Sequence, residues 1–370
     1  MAKNSISQRR LTRVPRHKSA PDSALRETAE TDRGRPYVIY NPVKVSRLHR
    51  LRKPVTIAAA EAGMGEPVFI ETSEEDPGTG QAAQAVADGA TLVLAAGGDG
   101  TVRAVAAGLA YTKIPMAIIP AGTGNLMARN LAIPTDDLQE AVDIAFFGYN
   151  FQSDLAWLRV EEIGEASELP PEGSLIPAGH RDLIRESGNK VPAQDEYAFL
   201  VIAGQGWDAE LMASTNSHLK SAVGWGAYVV AGAQALRAPK LSLRVFLDEH
   251  DRFRVCGRSI LFANCSSLMA GVVLVPDAEL DDGKLDITVL DTKVGIFGWM
   301  DLFTKIAAQG IGIHRDALPG TTGNLSVRTA RKAVTESQKP HPIQVDGDAI
   351  GSARRIMVRT DQHALVIRHG

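Results

Sequence analysis

The chain predicts an α/β protein in two parts: an N-terminal parallel three-layer α/β domain over residues 36–150 and a C-terminal antiparallel β-sandwich-like domain over 151–370. Three observations carry the prediction. As far as residue 150, apolar strand-like runs alternate with helical segments, and parallel strands need such crossover helices. Two of those runs end in glycine-rich turns that lead straight into helices. Beyond 150, apolar and polar residues alternate in short runs, the period of half-buried antiparallel strands.

Residues 1–35 carry Lys3, Arg9, Arg10, Arg13, Arg16, Lys18, Arg26, Arg33 and Arg35 among few large apolar residues. They read as a disordered basic tail. Such a tail is either a solvated leader or an attraction to anionic headgroups, at about 1 kcal/mol per basic residue near the surface. Arg47, Arg50, Arg52 and Lys53 extend the patch. Residues 37–40, 67–71, 91–96 and 116–119 then read as strands, and 43–62 (broken), 80–87, 103–111, 126–131 and 136–146 as helical. A strand over 151–160 opens the second domain. The polar stretch 161–195, with Pro170, Pro171, Gly173, Pro177, Gly179, Gly188 and Pro192, predicts a flexible insertion. Strands follow at 197–203, 241–247, 253–262, 285–290, 325–329, 342–345, 355–359 and 364–367, with helices near 209–214, 222–237 and 297–309. The final strands are expected to pack back near the cleft between the two domains.

The first glycine-rich turn is Gly97-Gly98-Asp99-Gly100-Thr101 and the second is Pro120-Ala121-Gly122-Thr123-Gly124-Asn125. Missing side chains let an anion approach the backbone, and a helix that starts at the turn aims its positive dipole end there. Two consecutive strand–loop–helix units place both tips along the carboxyl edge of one parallel sheet, where one nucleotide can span them. Asp99 is the odd member. A carboxylate beside phosphates repels them unless a cation lies between, which implies Mg²⁺ held directly or through water. Its structural alternative is to cap the helix that begins near Thr101. Neither loop has the Lys-Ser/Thr of a Walker-type loop or the spacing of a dinucleotide fingerprint.

A net charge of −3 over 370 residues gives no global argument for nucleic acid. Cys256 and Cys265 lack metal-like spacing and indicate no disulfide framework, so a reducing compartment is expected. No secretory apolar region is read in residues 1–20 and no run is long enough to cross a bilayer.

Taken together the two loops resemble the diacylglycerol kinase catalytic domain, the family of bacterial diacylglycerol kinases and sphingosine and ceramide kinases. Further stretches are similar to that family in the same order: Tyr40-Asn41-Pro42, Gly204-Gln205-Gly206-Trp207-Asp208-Ala209, Ala263-Asn264, Pro276-Asp277-Ala278, Asp281-Asp282-Gly283-Lys284-Leu285-Asp286 and Asp346-Gly347-Asp348. NAD kinases and phosphofructokinases share a Gly-Gly-Asp-Gly turn, but their other motifs have no counterpart here.

The resemblance implies an ATP-dependent lipid kinase, Mg²⁺-assisted, acting on the hydroxyl of a membrane lipid such as diacylglycerol or a sphingoid base. The alternatives are an NAD-kinase-like enzyme for a soluble acceptor and a catalytically inactive nucleotide-binding regulator. A cytoplasmic protein, peripheral at the inner face of the membrane, is expected, with no nucleic-acid partner and a homodimer left open. By the same resemblance, Gly97, Gly98, Gly100 and Thr101 bind phosphate, and Asn41, Gly122, Thr123 and Asn125 hold the remaining phosphate, ribose or adenine edges. Asp99 engages catalytic Mg²⁺. Asp348 is the candidate base, with Asp346 beside it; the family mostly carries Glu where Asp348 stands, so the carboxylate reaches one methylene less far. Asp154 is similar to a carboxylate of the Mg²⁺ network, and Glu279, Asp282 and the Lys284 carbonyl resemble a second, structural Mg²⁺ site. Leu126 departs from an acidic residue found in relatives. Trp207 and residues 268–273 are candidates for an acyl groove, or else core.

Overall fold

The computed structural model describes residues 34–165, 170–206, 240–248, 251–266, 278–292 and 323–370. The basic residues of the tail before residue 34, the helices expected at 209–214, 222–237 and 297–309, and the groove residues Trp207 and 268–273 lie outside them.

The first half runs β1 (Arg35–Tyr40), α1 (Leu48–Glu61), β2 (Val68–Glu71), α2 (Thr79–Ala87), β3 (Ala90–Gly97), α3 (Asp99–Leu109), β4 (Pro115–Pro120), α4 (Leu126–Asn130) and α5 (Leu138–Phe147). It continues through β5 (Tyr149–Glu165), α6 (Glu172–Leu175), α7 (Ala178–Glu186), β6 (Glu196–Phe199) and β7 (Ile202–Gly206). Then come β8 (Leu241–Leu247), β9 (Asp251–Gly257), β10 (Ser259–Ala263), β11 (Leu285–Thr292), β12 (Gly323–Ala330), β13 (Lys332–Val345) and β14 (Asp348–His369).

β1 pairs in parallel with β2 and β3, and β3 with β4. β3 is buried on both faces over most of its length, which its continuous apolar run requires of a central parallel strand. α2 packs on α3 and α1 on α5. α2 and α3 approach so closely at Gly108 that a Cβ there would collide with the backbone of Thr79. Asp137 caps α5 by accepting from the Glu140 amide at 3.1 Å.

The second half is antiparallel and sandwich-like, with β7 between β10 and β13, and β13 also pairing β8 and β14. Burial alternates along β8 as its sequence demands. One sheet joins the halves, because the end of β14 pairs in parallel with β4 through Val366 and Ile367. The packing of the final strands against the first half is thus direct strand pairing.

Several expected boundaries shift. The strand expected at 197–203 is two strands, β6 and β7, broken at Leu200 and Val201, whose amides turn to a side chain described below. The strands expected at 355–359 and 364–367 are one strand with an irregular pairing register between Asp361 and Leu365. Within the segment 161–195, expected as a flexible insertion, β5 runs on to Glu165 and residues 172–186 form α6 and α7, which pack on α2 and α3. Buried Ile176 and Ile184 anchor these helices, and buried Glu172 finds a charged partner. Among the described residues no helix is long and apolar enough to cross a membrane.

Candidate active site

The two glycine loops meet. A Cβ at Gly122 would lie 2.6 Å from the Gly98 Cα, and one at Gly124 would lie 2.6 Å from Asp99 Oδ2. Only glycine permits this approach of two backbones. Both loops sit at the carboxyl ends of neighbouring parallel strands, with the Ala121 amide donating to the Gly97 carbonyl at 2.9 Å. A Cβ at Gly97 would lie 2.6 Å from the Thr101 Cβ, so that loop closes over the first turn of its own helix.

Asp99 opens α3, but its carboxylate does not cap that helix. Its Oδ1 accepts from the Leu126 amide at 2.5 Å, at the start of α4, and so ties the first loop to the second. Burial pushes the Asp99 carboxyl above its ordinary range; the Leu126 and Asn125 amides oppose this, and the Asp348 charge adds to it.

Asn125 sits in the left-handed region at φ 48°. Its Oδ1 accepts from the Gly122 amide and its Nδ2 donates to the Gly122 carbonyl, both at 2.9 Å. Its side chain, expected to hold nucleotide, closes the second loop upon itself through these bonds. Thr123 is exposed at the tip and Thr101 is buried. The Asn41 side-chain oxygen accepts from the amides of Val43 and Lys44, shaping the turn after β1.

Asp346 and Asp348 part company. Asp346 is buried, and its carboxylate accepts from the amides of Leu200, Val201 and Ile202 at 2.8–2.9 Å. Expected beside the base, it acts as a structural anchor for the break between β6 and β7, since backbone N–H groups that leave the ladder need another acceptor. Desolvation pushes its carboxyl up to about 6, against the opposing effects of the Arg103 charge and the three amides. Asp348 keeps a side chain 49% exposed, and its Oδ2 would lie 3.4 Å from a Cβ at Gly100. The carboxylate that reaches the glycines of the first loop is therefore Asp348.

Two further charged residues occupy this place that sequence reasoning missed. The Arg103 guanidinium on α3 donates through Nη1 to Asp348 Oδ2 at 2.8 Å and to the Val345 carbonyl at 3.1 Å, and through Nε to Glu172 Oε1 at 3.0 Å. Its signal was present: arginine in the otherwise apolar run Thr101-Val102-Arg103-Ala104-Val105 is out of place unless paired. Glu172, in Pro171-Glu172-Gly173, gave none.

The expected Mg²⁺ residues divide. The Asp348 charge acts on Asp99 across Gly100, with Asp99 Oδ2 at the second loop and Asp348 half exposed. A carboxylate such as Asp99, with Oδ1 on a backbone amide and Oδ2 at the second loop, suits a hexacoordinate cation that takes its other ligands from a bound group and water. Asp154 does not join them. Its Oδ2 accepts from the Gly283 amide at 2.6 Å and its Oδ1 from the His363 amide at 2.8 Å, so it fastens the 280–283 loop to β14. Asp282 Oδ1 accepts from the Lys284 amide at 2.9 Å, and Glu279 is exposed. Among the described residues no cluster of three His, Cys, Asp or Glu side chains forms a cage there or elsewhere.

Comparison with known proteins fits this geometry. Residues 35–157 match the family model of the diacylglycerol kinase catalytic domain, and residues 201–365 that of the YegS C-terminal NAD kinase beta sandwich-like domain. A diacylglycerol kinase of Staphylococcus carnosus is 26% identical over 335 residues, covering 90% of this chain and 94% of its own. An uncharacterized Synechocystis protein is 26% identical over 274 residues, and the chain spans 53% of its length. The crystal structure of a diacylglycerol kinase from Bacillus anthracis str. Sterne shares the fold, with a TM-score of 0.61 at 18% identity over 91% of this chain and 97% of that one.

Proposed function

We propose that this chain, which belongs to the diacylglycerol kinase catalytic-domain family, transfers the γ-phosphate of ATP to the hydroxyl of a membrane lipid. Diacylglycerol is the first candidate acceptor and a sphingoid base the second, the former supported by the names of the Staphylococcus relatives. The observation that carries the reading is the contact of Gly98 with Gly122 beside Asp348. Backbone amides of Gly97, Gly98 and Gly100 hold phosphate, with Thr101 and Thr123 adding hydroxyls and Gly122 giving room by its missing side chain. Mg²⁺, when bound, neutralises charge on the transferring phosphoryl group. Asp99 Oδ2 is the side-chain group that would hold it, with phosphate and water as its other ligands.

Asp348 accepts the acceptor hydroxyl's proton as the new oxygen–phosphorus bond forms, and the bond to the leaving ADP breaks. Only one of its oxygens is engaged by Arg103, which leaves the other to face the acceptor. The protein works from the cytoplasm at the inner face of the membrane, with exposed Lys44 on the turn after β1 and exposed Arg47, Arg50 and Lys53 at the start of α1 and within it as its basic contacts.

Transfer of labelled phosphate from ATP, assayed in mixed micelles containing diacylglycerol, sphingosine or ceramide and in solution with NAD, tests the proposal. Label extractable into organic solvent is expected, and Asp348→Asn should reduce it by about 10²–10⁴-fold. Label confined to NAD, or a biological activity indifferent to Asp348→Asn, sinks the lipid kinase reading.

A further inference from the structure

We propose that Arg103 and Glu172 form a buried clamp that orients Asp348 relative to the phosphate loops, with Arg103 a positioning residue for the transfer step; this rests on the reading of Asp348 given above. The side chains of Arg103 and Glu172 are each 4% exposed, whereas Asp348 is half open. A guanidinium so deprived of water is costly unless its donors are met, and a buried ion pair is often replaceable by apolar packing at no loss of stability. The neighbours Val102, Ala104, Val105 and Ala106 are all buried, so shape alone would be served by an apolar side chain. What a cation adds here is direction.

The direction is fixed at both ends. Glu172 Oε1 holds the Nε edge of the planar guanidinium while Glu172 Oε2 accepts from the Ala198 amide at 3.3 Å. That leaves Nη1 aimed at Asp348 Oδ2 and the Val345 carbonyl. The backbone of Asp348 is pinned separately, because it follows a turn with φ 45° at Asp346 and 89° at Gly347 whose first residue is anchored by three amides. Arg103 also lies four residues after Asp99 on α3, so both project from one face of one rigid helix. The loop that holds the transferred phosphate and the carboxylate that takes the proton are thereby referenced to the same helical turn. In a reaction governed by in-line alignment, a displacement of about 1 Å costs on the order of 10²-fold.

The test uses the full chain and the paired replacement Arg103→Met with Glu172→Met, because Arg103→Met alone strands a buried carboxylate and threatens folding. The double variant is expected to melt cooperatively and to bind ATP within about threefold of the parent, with kcat lower on the order of 10²-fold. Arg103→Lys keeps the charge but not the fork, and should recover part of kcat. A crystal structure of the double variant with a non-hydrolysable ATP analogue should show the Asp348 carboxylate turned from its position beside Gly100. An unchanged Asp348 orientation in that crystal, or a parental kcat in the double variant while Asp348→Asn is inactive, overturns the clamp. A parental kcat in Asp348→Asn overturns the role of Asp348 itself, and the unmoved activity separates that failure from the other.

Discussion

Three carboxylates and one cation meet behind the glycine loops, and no two carboxylates have the same set of neighbours. Asp346 faces three amides, Glu172 faces Arg103 and one amide, and Asp348 faces Arg103 and solvent. Under the proposed transfer that division separates the roles, since a carboxylate whose oxygens are all engaged is a poor base for an acceptor hydroxyl. Asp346→Ala should therefore act on stability, costing about 3 kcal/mol at pH 7 through orphaned amides. Its pH dependence has a definite sign. Desolvation raises the folded Asp346 carboxyl from 3.8 to about 6, so the stability linked to its proton is fully present below the unfolded value and is lost as pH rises through about 6. The gap between wild type and Asp346→Ala should accordingly be wider at pH 4 than at pH 7 by about 2 kcal/mol. Urea titrations of both proteins across that range measure it, and a gap that widens with pH contradicts the assignment. The motif Asp346-Gly347-Asp348 was readable as a pair of candidates, yet which one faces the site depended on amides of residues 200–202, more than a hundred positions away and invisible to local pattern.

At the scale of elements, the strand–loop–helix units were legible because glycines at strand ends leave a strong local mark. The long strands were not. β13 begins at Lys332 and carries polar residues through Lys339, and β14 continues through Asp361, Gln362 and His363, where period and propensity both argue for a loop. Pairing of β14 with β5 and of β13 with β14 on either side of these residues carries the strands past them, across register breaks and a left-handed His363 at φ 54°, which is tertiary context overriding composition. The helices of the insertion are hidden from the sequence for a related reason: prolines at 170, 171 and 177 mark chain turns, but the buried Glu172 that docks the segment gives no compositional sign. The two glycines at the meeting of the loops lead to a contrast in behaviour. A Cβ at Gly122 would stand 2.6 Å from backbone, whereas one at Gly98 would stand 3.4 Å from it, at an ordinary φ of −91°. Gly122→Ala should weaken ATP binding roughly tenfold, equivalent to 1.4 kcal/mol, and Gly98→Ala by less than about threefold. Calorimetric titration of both variants checks the order; equal losses would mean that the loops do not share one ligand.

At the scale of the molecule, the chain reads as two domains but is built as one sheet. β4 has β3 on one side and the end of β14 on the other, and the core beneath the parallel strands includes Leu155, Trp157, Leu200, Ala364, Leu365 and Ile367 from the second half. Each of these is at most 3% exposed, so a first half produced alone would present to water the surface they cover and an unpaired edge at β4. At roughly 1.5–3 kcal/mol for each large apolar side chain left uncovered, the deficit reaches the size of a whole domain's net stability. Residues 34–150 expressed by themselves should consequently lack a cooperative urea transition and the near-ultraviolet signal of fixed aromatic packing, while residues 34–370 show a single transition by both probes. Hydrogen exchange gives the same test within the intact chain: amides of β4 and of the last residues of β14 should open together, with one free energy. A fragment 34–150 that unfolds cooperatively and binds ATP as the full chain does would show that the continuous sheet is an accident of proximity. The expected result instead makes β14 the physical link by which Asp348, at its first residue, is held in register with the glycine loops at the ends of β3 and β4.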